Sequence, residues 1–247
     1  MAGLLLSFHS SDAADLPNFV WLTSEDNSVH FSRIYSEAGI SMPAIEGLAE
    51  HGLVFEHAFS NAPVCSVART TLLAGAYAPR IGTQYHRRSK LVPMPDNGRM
   101  YPWYFQQAGY YTSNNSKTDY NVVTDGGWDD SSPTAIWRNR QAGQPFLHVQ
   151  NTALTHESSL HFSREEMEMT ANKTTSESVT LFPYFPDTPT FRYTHARYLD
   201  NHVRVDNYFA DYISMLEEDG VLDDTFIFYF GDHGGVLPRG KGYAYEN

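Results

Sequence analysis

The sequence predicts an α/β protein with a mostly parallel sheet flanked by helices. Three short apolar runs have the length and the β-branched or aromatic content of buried strands, and they are Asn18–Leu22, Pro145–Gln150 and Thr225–Phe230. Helical patterns lie between these runs, and strands that alternate with helices form parallel sheets. Ligands bind beyond the carboxyl ends of the strands in such sheets, so the polar residues after each run are candidates for a functional site.

Two helices are predicted between the strands. Ser41–His51 has a serine as candidate N-cap, a proline in its first turn and a glycine just after its end. Tyr198–Glu218 carries an apolar stripe at helical spacing and is also followed by a glycine. Residues 157–195 are rich in Ser, Thr, Glu and Pro without clear periodicity, so we expect an irregular excursion over the site or the sheet edge.

Length and charge limit the class of protein. The 247 residues can bury the core of one large domain, which we place at residues 16–247. The net charge of -12 argues against a nucleic-acid-binding protein, and no apolar run is long enough to span a bilayer. Met1–Asp15 is interpreted as the remnant of a signal peptide or as a ragged terminus. The final G-K-G-Y-A-Y-E-N reads as if the chain were cut within a domain.

Polar and acidic residues follow all three predicted strands. Glu25-Asp26 comes after the first run, the polar stretch Asn151–His156 after the second, and Asp232-His233 after the third. Carboxylate oxygens are ligands for a hard divalent cation such as Ca²⁺ or Mg²⁺. Each acidic pair alone is more simply explained as solvated loop charge. Two such pairs at strand ends make a metal site an equal alternative.

The only cysteine, Cys65, is predicted to lie at the N-terminus of a helix. Leu53–Phe59 has the composition of a strand, and Cys65–Ala74 has that of a helix that ends at Gly75. A helix N-terminus favours an anion, and Arg69 lies one turn further along the same face. A lone cysteine is more often a buried inert residue than a nucleophile, so both interpretations stay open on these residues alone.

The stretch that begins at Cys65, C-S-V-A-R-T-T-L-L-A-G, resembles the signature of the formylglycine-dependent type I sulfatases. In that family the cysteine is converted to formylglycine, an aldehyde, so the resemblance implies that Cys65 is kept for its chemistry. Two positions depart from the signature. Val67 stands where proline or alanine is usual, and Ala74 stands where threonine is usual. Because maturation enzymes read this motif, Val67 bears on whether Cys65 is converted.

The resemblance extends along most of the chain. The further matching segments are Pro17–Asp26, Gly109–Lys117, Thr155–Glu157, Phe230–Gly234 and Arg239–Tyr243. By this resemblance, Lys117 and Lys241 match two active-site lysines, and His156 matches a histidine that contacts sulfate. Glu25 stands in a metal-binding pair where aspartate is usual. Asp119 stands where the family usually has a histidine.

The resemblance implies a set of site residues and a mechanism. The implied catalytic residues are Cys65, Arg69, Lys117, His156 and Lys241. The implied metal ligands are Glu25, Asp26, Cys65, Asp232 and His233, with Ca²⁺ as the first choice and Mg²⁺ as the alternative. One hydroxyl of the hydrated aldehyde attacks the sulfur of a sulfate ester, and the cationic side chains offset charge on the sulfate oxygens. His156 or Lys241 protonates the leaving alcohol, after which loss of sulfate restores the aldehyde.

The function implied by the resemblance is hydrolysis of a sulfate ester or sulfamate on a sulfated carbohydrate of the heparan or glycosaminoglycan type. The implied fold is alkaline-phosphatase-like, with the chain ending before the family's C-terminal subdomain. The implied partners are the sulfated substrate and a formylglycine-generating maturation enzyme, and the implied location is periplasmic or secreted. The alternatives are a phosphoester or phosphonate hydrolase of the same superfamily, a catalytically silent binder of sulfated glycans, and a fragment that does not fold alone.

Overall fold

The computed structural model describes residues 16–95, 98–124 and 126–243. Its centre is a five-stranded sheet in the order β3-β2-β4-β1-β5, in which every neighbouring pair is parallel. The strands are β1 (Asn18–Ser24), β2 (Tyr111–Asn115), β3 (Asp130–Ser131), β4 (Phe146–Thr152) and β5 (Thr225–Gly231). The three strands predicted from the sequence are β1, β4 and β5, and the predicted parallel α/β sheet is confirmed. The interpretation of residues 1–15 falls outside the described residues.

Two strands, β2 and β3, escaped the sequence reasoning because they carry polar rather than apolar residues. Thr112, Ser113 and Asn114 in β2 are buried, and each forms a side-chain hydrogen bond. Ser113 Oγ lies 2.8 Å from His148 Nδ1 on the neighbouring strand β4, and Asp129 accepts from both N and Oγ1 of Thr112. Buried polar groups that are paired in this way leave no apolar run in the sequence.

Five α-helices flank the sheet. They are α1 (Pro43–Glu50), α2 (Cys65–Ala74), α3 (Tyr101–Gln107), α4 (Arg164–Met169) and α5 (Pro189–Glu218). The predicted helix at Tyr198–Glu218 in fact begins at Pro189, where Thr188 Oγ1 accepts from Phe191 N at 3.2 Å and caps the first turn. The expected irregular excursion over residues 157–195 therefore ends earlier and contains α4. The N-cap of α1 is Met42 rather than Ser41, because Ser41 Oγ binds the Glu46 carboxylate instead.

The prediction of a strand at Leu53–Phe59 is wrong. The structure assigns no strand to this segment, and Leu53, Phe55 and Phe59 are 85%, 63% and 64% exposed. A strand forms only where a neighbour pairs with its backbone, and none of the described strands lies beside this segment. Local composition favours a strand at this segment, but none of the described strands pairs with it.

The main core lies between one face of the sheet and helices α1 and α5. Val20 and Leu22 from β1 pack there with Val205 and Phe209 from α5, all fully buried. Burial of each such side chain contributes roughly 1.5–3 kcal/mol. The other face of β1 presents Trp21, which contacts Tyr101 of α3 with ring centroids 4.8 Å apart. Helices thus cover both faces of the central strand, as expected for a parallel sheet.

Strands β4, β1 and β5 are neighbours and end at the same edge of the sheet. Ser24, the last residue of β1, is paired in register with Thr152 of β4 and with Gly231 of β5. Three polar segments therefore leave the sheet side by side, and they are Glu25-Asp26, the residues after Thr152, and Asp232-His233. Among the residues that the structure describes, no helix is both long enough and apolar enough to span a membrane.

Candidate active site

Helix α2 places Cys65 at its N-terminus, facing the carboxyl edge of the sheet. Cys65 is fully buried, and Val64 before it provides no side-chain cap. The helix ends at Gly75, whose φ of 61° lies in the left-handed region and whose N donates to Thr71 O at 2.9 Å. The predicted helix is therefore confirmed at both ends. Its uncapped first turn leaves backbone N–H groups and the positive end of the helix dipole near Cys65.

Four side chains from three segments of the chain, one of them Cys65, lie close together. Asp26, Cys65, Asp232 and His233 are all buried and offer one ligand atom each within 4.8 Å of one another. His233 Nε2 lies 3.2 Å from Cys65 Sγ and 3.0 Å from Asp26 Oδ1. Both acidic pairs therefore meet at the cysteine, as the strand ends predict.

The donor set of this cluster fits a divalent cation. Two buried carboxylates beside a sulfur atom need positive charge, because an uncompensated buried charge is costly. In the structure His233 and Lys241 supply that charge. Burial raises the pKa of Asp26, but hydrogen bonds from His233 and Lys241 outweigh it and hold that pKa well below its usual range. Burial lowers the pKa of His233, but hydrogen bonds to Asp26 and Cys65 outweigh it and raise that pKa to about 10.

Asp26 is the most tightly held of these residues. Its backbone has a φ of 53°, and its N donates to Asp232 Oδ1 at 2.9 Å. Its Oδ2 accepts from Glu157 N at 2.7 Å and from Lys241 Nζ at 2.9 Å. The hydroxyl of Tyr198 in α5 donates to its carbonyl oxygen. The carboxylate is thus pre-oriented by four parts of the chain.

Glu25 lies beside this cluster, on the side of Lys117. Its Oε1 accepts from Asn151 Nδ2 at 2.6 Å, and its Oε2 pairs with Lys117 Nζ. Glu25 also forms a second potential ligand group with Cys65 and His156, and His156 Nε2 lies 3.9 Å from Glu25 Oε2. Four of the five predicted metal ligands therefore form one group, Glu25 is grouped separately with Cys65 and His156, and the role of Glu25 as a ligand stays a prediction.

Each predicted catalytic cation is paired with an acidic residue of the site. Arg69 Nη2 lies 3.2 Å from Asp232 Oδ2 and also donates to Asn151 Oδ1. Lys241 bridges Asp26 and Glu157, at 2.9 and 3.0 Å. Burial lowers the pKa of Lys241, but these two carboxylates outweigh it and raise that pKa above its usual range. The site therefore alternates cationic and anionic side chains.

Three contributors to the site received no role from sequence reasoning. Asn151 and Glu157 lay within stretches already noted as polar, so their positions after β4 were the available signal. Tyr198 is only the first residue of the predicted helix Tyr198–Glu218, and nothing in the sequence shows that its hydroxyl reaches Asp26. Only the packing of α5 against the strand ends reveals that contact.

Comparison with known families decides what kind of site this is. The family model described as Sulfatase matches residues 17–131 and 114–247. The chain belongs to the sulfatase family. A curated relative, the ulvan-active sulfatase of Formosa agariphila, is 32% identical over 276 aligned residues that cover 94% of this chain. The chain spans 46% of the length of that sulfatase.

Solved structures confirm the alkaline-phosphatase-like fold that the resemblance predicts. A protein of the Bacteroides thetaiotaomicron genetic locus for metabolism of multiple glycosaminoglycans superposes with a TM-score of 0.70 at 15% identity, covering 89% of this chain and 62% of that one. The phosphonate monoester hydrolase of Agrobacterium radiobacter gives a TM-score of 0.72 at 14% identity, covering 93% and 66%. At such identities the likeness concerns the fold alone, so it does not separate sulfatases from phosphonate hydrolases.

Proposed function

We propose that this chain carries the active site of a sulfuric ester hydrolase whose nucleophile is a formylglycine derived from Cys65. The observation that carries the proposal is the position of Cys65, fully buried at the uncapped N-terminus of α2 and in contact with His233, which also contacts Asp26. Membership of the sulfatase family supports it. Sulfate esters or sulfamates are the proposed substrates.

A divalent metal belongs to the same proposal. Asp26, Asp232 and His233 would hold it together with the side chain at position 65, and Glu25 is a further candidate ligand. Oxygen-rich donors favour Ca²⁺, with Mg²⁺ as the alternative. When bound, such a cation would supply a positive charge that polarises oxygen atoms of the substrate and of the modified side chain at position 65.

The cationic side chains around Cys65 have distinct tasks in this reaction. Arg69 is fixed by Asp232 and Asn151, so it keeps its guanidinium beside the sulfate position. Lys117 pairs with Glu25 and Lys241 pairs with Asp26, and both lysines offset the charge that develops on the sulfate oxygens. Because these groups are held before substrate binds, little reorganisation is needed at the moment of reaction.

His156 is the better candidate to protonate the leaving alcohol. Its Nδ1 accepts from Ser158 N at 3.3 Å, so the proton of the neutral imidazole is carried by Nε2. Nε2 faces Glu25 at 3.9 Å, which leaves it able to donate into the site. Lys241, in contrast, already donates to both Asp26 and Glu157. Proton donation from His156 Nε2 to the leaving oxygen is the proposed step.

A sulfated carbohydrate is the proposed substrate class. Its support is the relative named as ulvan-active and the structural neighbour from a glycosaminoglycan locus. A formylglycine-generating enzyme is the proposed maturation partner, and the periplasm or the exterior is the proposed location, as the resemblance implies.

Peptide mass spectrometry across residues 62–69 tests the nucleophile directly. The chain is expressed together with a formylglycine-generating enzyme, and turnover of 4-nitrophenyl sulfate and 4-nitrophenyl phosphate is measured on the same sample. We expect an aldehyde at position 65, with sulfate turned over faster than phosphate and no turnover in the Cys65→Ala control. An unmodified thiol, or faster turnover of phosphate, would contradict the proposal.

The second candidate function is hydrolysis of a phosphoester or phosphonate. Its support is the resemblance, because phosphoester and phosphonate hydrolases of the same superfamily use similar metal ligands. The same paired assay decides, because this candidate requires the phosphorus substrate to react faster. A silent glycan-binding protein would instead retain the thiol and bind sulfated glycan without turnover. Absence of a cooperative melting transition would point to a fragment that does not fold alone.

A further inference from the structure

The turn at Tyr85–Arg88 is hydrogen-bonded to Ser66, the residue next to the proposed nucleophile. Ser66 follows Cys65 in the first turn of α2 and is fully buried. Its Oγ accepts from Arg87 N at 2.9 Å and lies 3.0 Å from His86 Nδ1. The backbone at position 87 is therefore positioned directly by the helix that carries Cys65.

A buried asparagine fixes the same turn from the other side. Asn121 is 1% exposed, and its Nδ2 donates to the carbonyl oxygens of Thr83 and Tyr85 at 3.0 and 2.8 Å. Its Oδ1 accepts from Arg88 N at 3.1 Å, while its backbone N donates to Thr70 Oγ1 in α2. Such a fully bonded buried amide makes the turn rigid, which is a requirement for a residue that reads a ligand.

The side chain of Arg87 forms a two-pronged ion pair with Asp119. Nε and Nη2 each lie 3.2 Å from one carboxylate oxygen. Both residues have a φ of 48°, a left-handed conformation that is uncommon for residues other than glycine, asparagine and aspartate. Backbone strain of this kind persists where surrounding contacts enforce it and is concentrated at functional sites. By the resemblance, Asp119 stands where the sulfatase pattern usually has a histidine.

The exposed member of the pair is the cation. The Arg87 side chain is 58% exposed and the Asp119 side chain 16% exposed. A guanidinium has five N–H donors in a planar fork, and Asp119 uses only one edge of it. The pKa of Arg87 is raised chiefly by its hydrogen bond to Asp119, with contributions from Cys65 and Glu157. The backbone hydrogen bond from Arg87 N to Ser66 Oγ keeps this residue close to Cys65, the neighbour of Ser66 in the chain.

We propose that Arg87 binds an anionic group of the substrate, a carboxylate or a second sulfate, on the carbohydrate unit next to the scissile sulfate ester. Asp119 is a positioning residue that holds the guanidinium in place. The inference rests on the proposed function and narrows its substrate class to carbohydrates with a second negative charge. Guanidinium forks match carboxylate and sulfate geometry, and hydrogen bonds between charged groups are stronger than those between neutral groups.

Steady-state kinetics on four substrates test the proposal. The first three are 4-nitrophenyl sulfate, a sulfated disaccharide that carries a neighbouring uronate, and the same disaccharide after reduction of its carboxyl group. A disulfated disaccharide without a carboxylate separates the second sulfate from the carboxylate as the recognised anion. Wild type is compared with Arg87→Ala and Arg87→Lys. Arg138→Ala is the matched control, since Arg138 also pairs with a carboxylate, Asp219, at the far end of α5.

We expect Arg87→Ala to raise KM for the anionic disaccharide about tenfold or more and to change kcat less, because the lost interaction exists before the reaction. The preference for the anionic disaccharide over the aryl sulfate falls by the same factor. Arg87→Lys lies between, since it keeps the charge without the fork. An equal loss on all substrates, or no loss on any, would overturn the proposal.

Binding separates failure of this inference from failure of the proposed function. If wild type hydrolyses no sulfate ester, the proposed function fails while Arg87 is still tested by calorimetry with the desulfated uronate disaccharide. A Kd about tenfold weaker in Arg87→Ala than in wild type and in Arg138→Ala supports the binding role. Equal Kd values in the three proteins refute it. Matching melting temperatures exclude a folding defect as the cause.

Discussion

Asp232 connects three parts of the candidate site through one carboxyl group. Oδ1 accepts from Asp26 N at 2.9 Å and lies 3.5 Å from His233 Nε2, and Oδ2 pairs with Arg69 at 3.2 Å. At the scale of single residues, the site is thus a network in which each charge has several neighbours. Removal of one charge leaves the others buried without compensation, which is costly.

Asp232→Asn tests this network with little change of shape. We expect the affinity for Ca²⁺ to fall about tenfold or more, and the turnover of sulfate ester to fall further, because a ligand charge and the anchor of Arg69 are both lost. Calorimetric titration and steady-state rates measure the two effects. Asp223→Asn, at an exposed position before β5, is the control. Unchanged Ca²⁺ affinity in Asp232→Asn would contradict the assignment.

Val67 links the sequence of the signature to the packing of α2. It is 2% exposed, so its side chain contributes to the core as well as to the motif. We expect Val67→Ala to raise the fraction of chains with formylglycine at position 65, because alanine matches the sulfatase pattern. The same change costs about 2 kcal/mol of folding free energy, since two buried methyl-sized groups are lost. Peptide mass spectrometry measures the fraction of formylglycine, and denaturant unfolding measures the folding free energy. The first change raises the amount of active protein and the second lowers the amount of folded protein.

At the scale of elements, two helices position the site in different ways. The N-terminus of α2 brings Cys65 to the sheet edge. Helix α5 reaches the site through Tyr198, which lies in the first half of that helix. The start of α5 was missed in the sequence because its first turns mix polar and aromatic residues. Its N-terminus is instead defined by Thr188 and Pro189, a cap followed by a residue with no N–H to satisfy.

Thr188→Ala tests the importance of that cap. Loss of the hydrogen bond from Phe191 N to Thr188 Oγ1 should lower the free energy of unfolding by about 1 kcal/mol. Urea denaturation followed by circular dichroism measures the change. Thr190→Ala, an exposed position in the same first turn, controls for the loss of a hydroxyl. An equal effect of both substitutions would show that the cap does not define the start of α5.

At the scale of the whole molecule, stability depends on histidines that are buried in the uncharged form. Burial lowers the pKa values of His148, His195 and His202 to about 4, from 6.5. The unfolded chain therefore binds more protons than the folded chain between pH 6.5 and pH 4. The stability from these groups is fully present above pH 6.5 and is lost as the pH falls toward 4.

We expect the free energy of unfolding to fall on acidification through this window, with a slope of up to about 1.4 kcal/mol per pH unit for each histidine. Thermal or urea unfolding measures this slope, over a range from roughly pH 7.5 to roughly pH 4 that includes the whole window. His195→Phe should reduce it, because His195 lies among aromatic rings such as Phe31 and Phe185, 5.7 and 5.9 Å away. A pH-independent stability would contradict the assignment of these histidines as neutral.

The sequence by itself determined the parallel α/β class, strands β1, β4 and β5, the helix at Cys65 and the meeting of the two acidic pairs. These features depend on local patterns, namely apolar runs, a left-handed glycine and polar residues at strand ends. The sulfatase signature around Cys65 added the family, which the comparison confirmed. Physical patterns alone left Cys65 open between inert residue and nucleophile.

Only the tertiary structure decided which side chains share a partner. It removed the strand at Leu53–Phe59, because no described strand lies beside it, and it added β2, where Ser113 and Asn114 form side-chain hydrogen bonds to the neighbouring strands. It also joined Arg87 to Asp119, 32 residues apart in the chain. Hydrogen bonds and ion pairs between distant segments depend on how the whole chain packs, and no local pattern in the sequence encodes them.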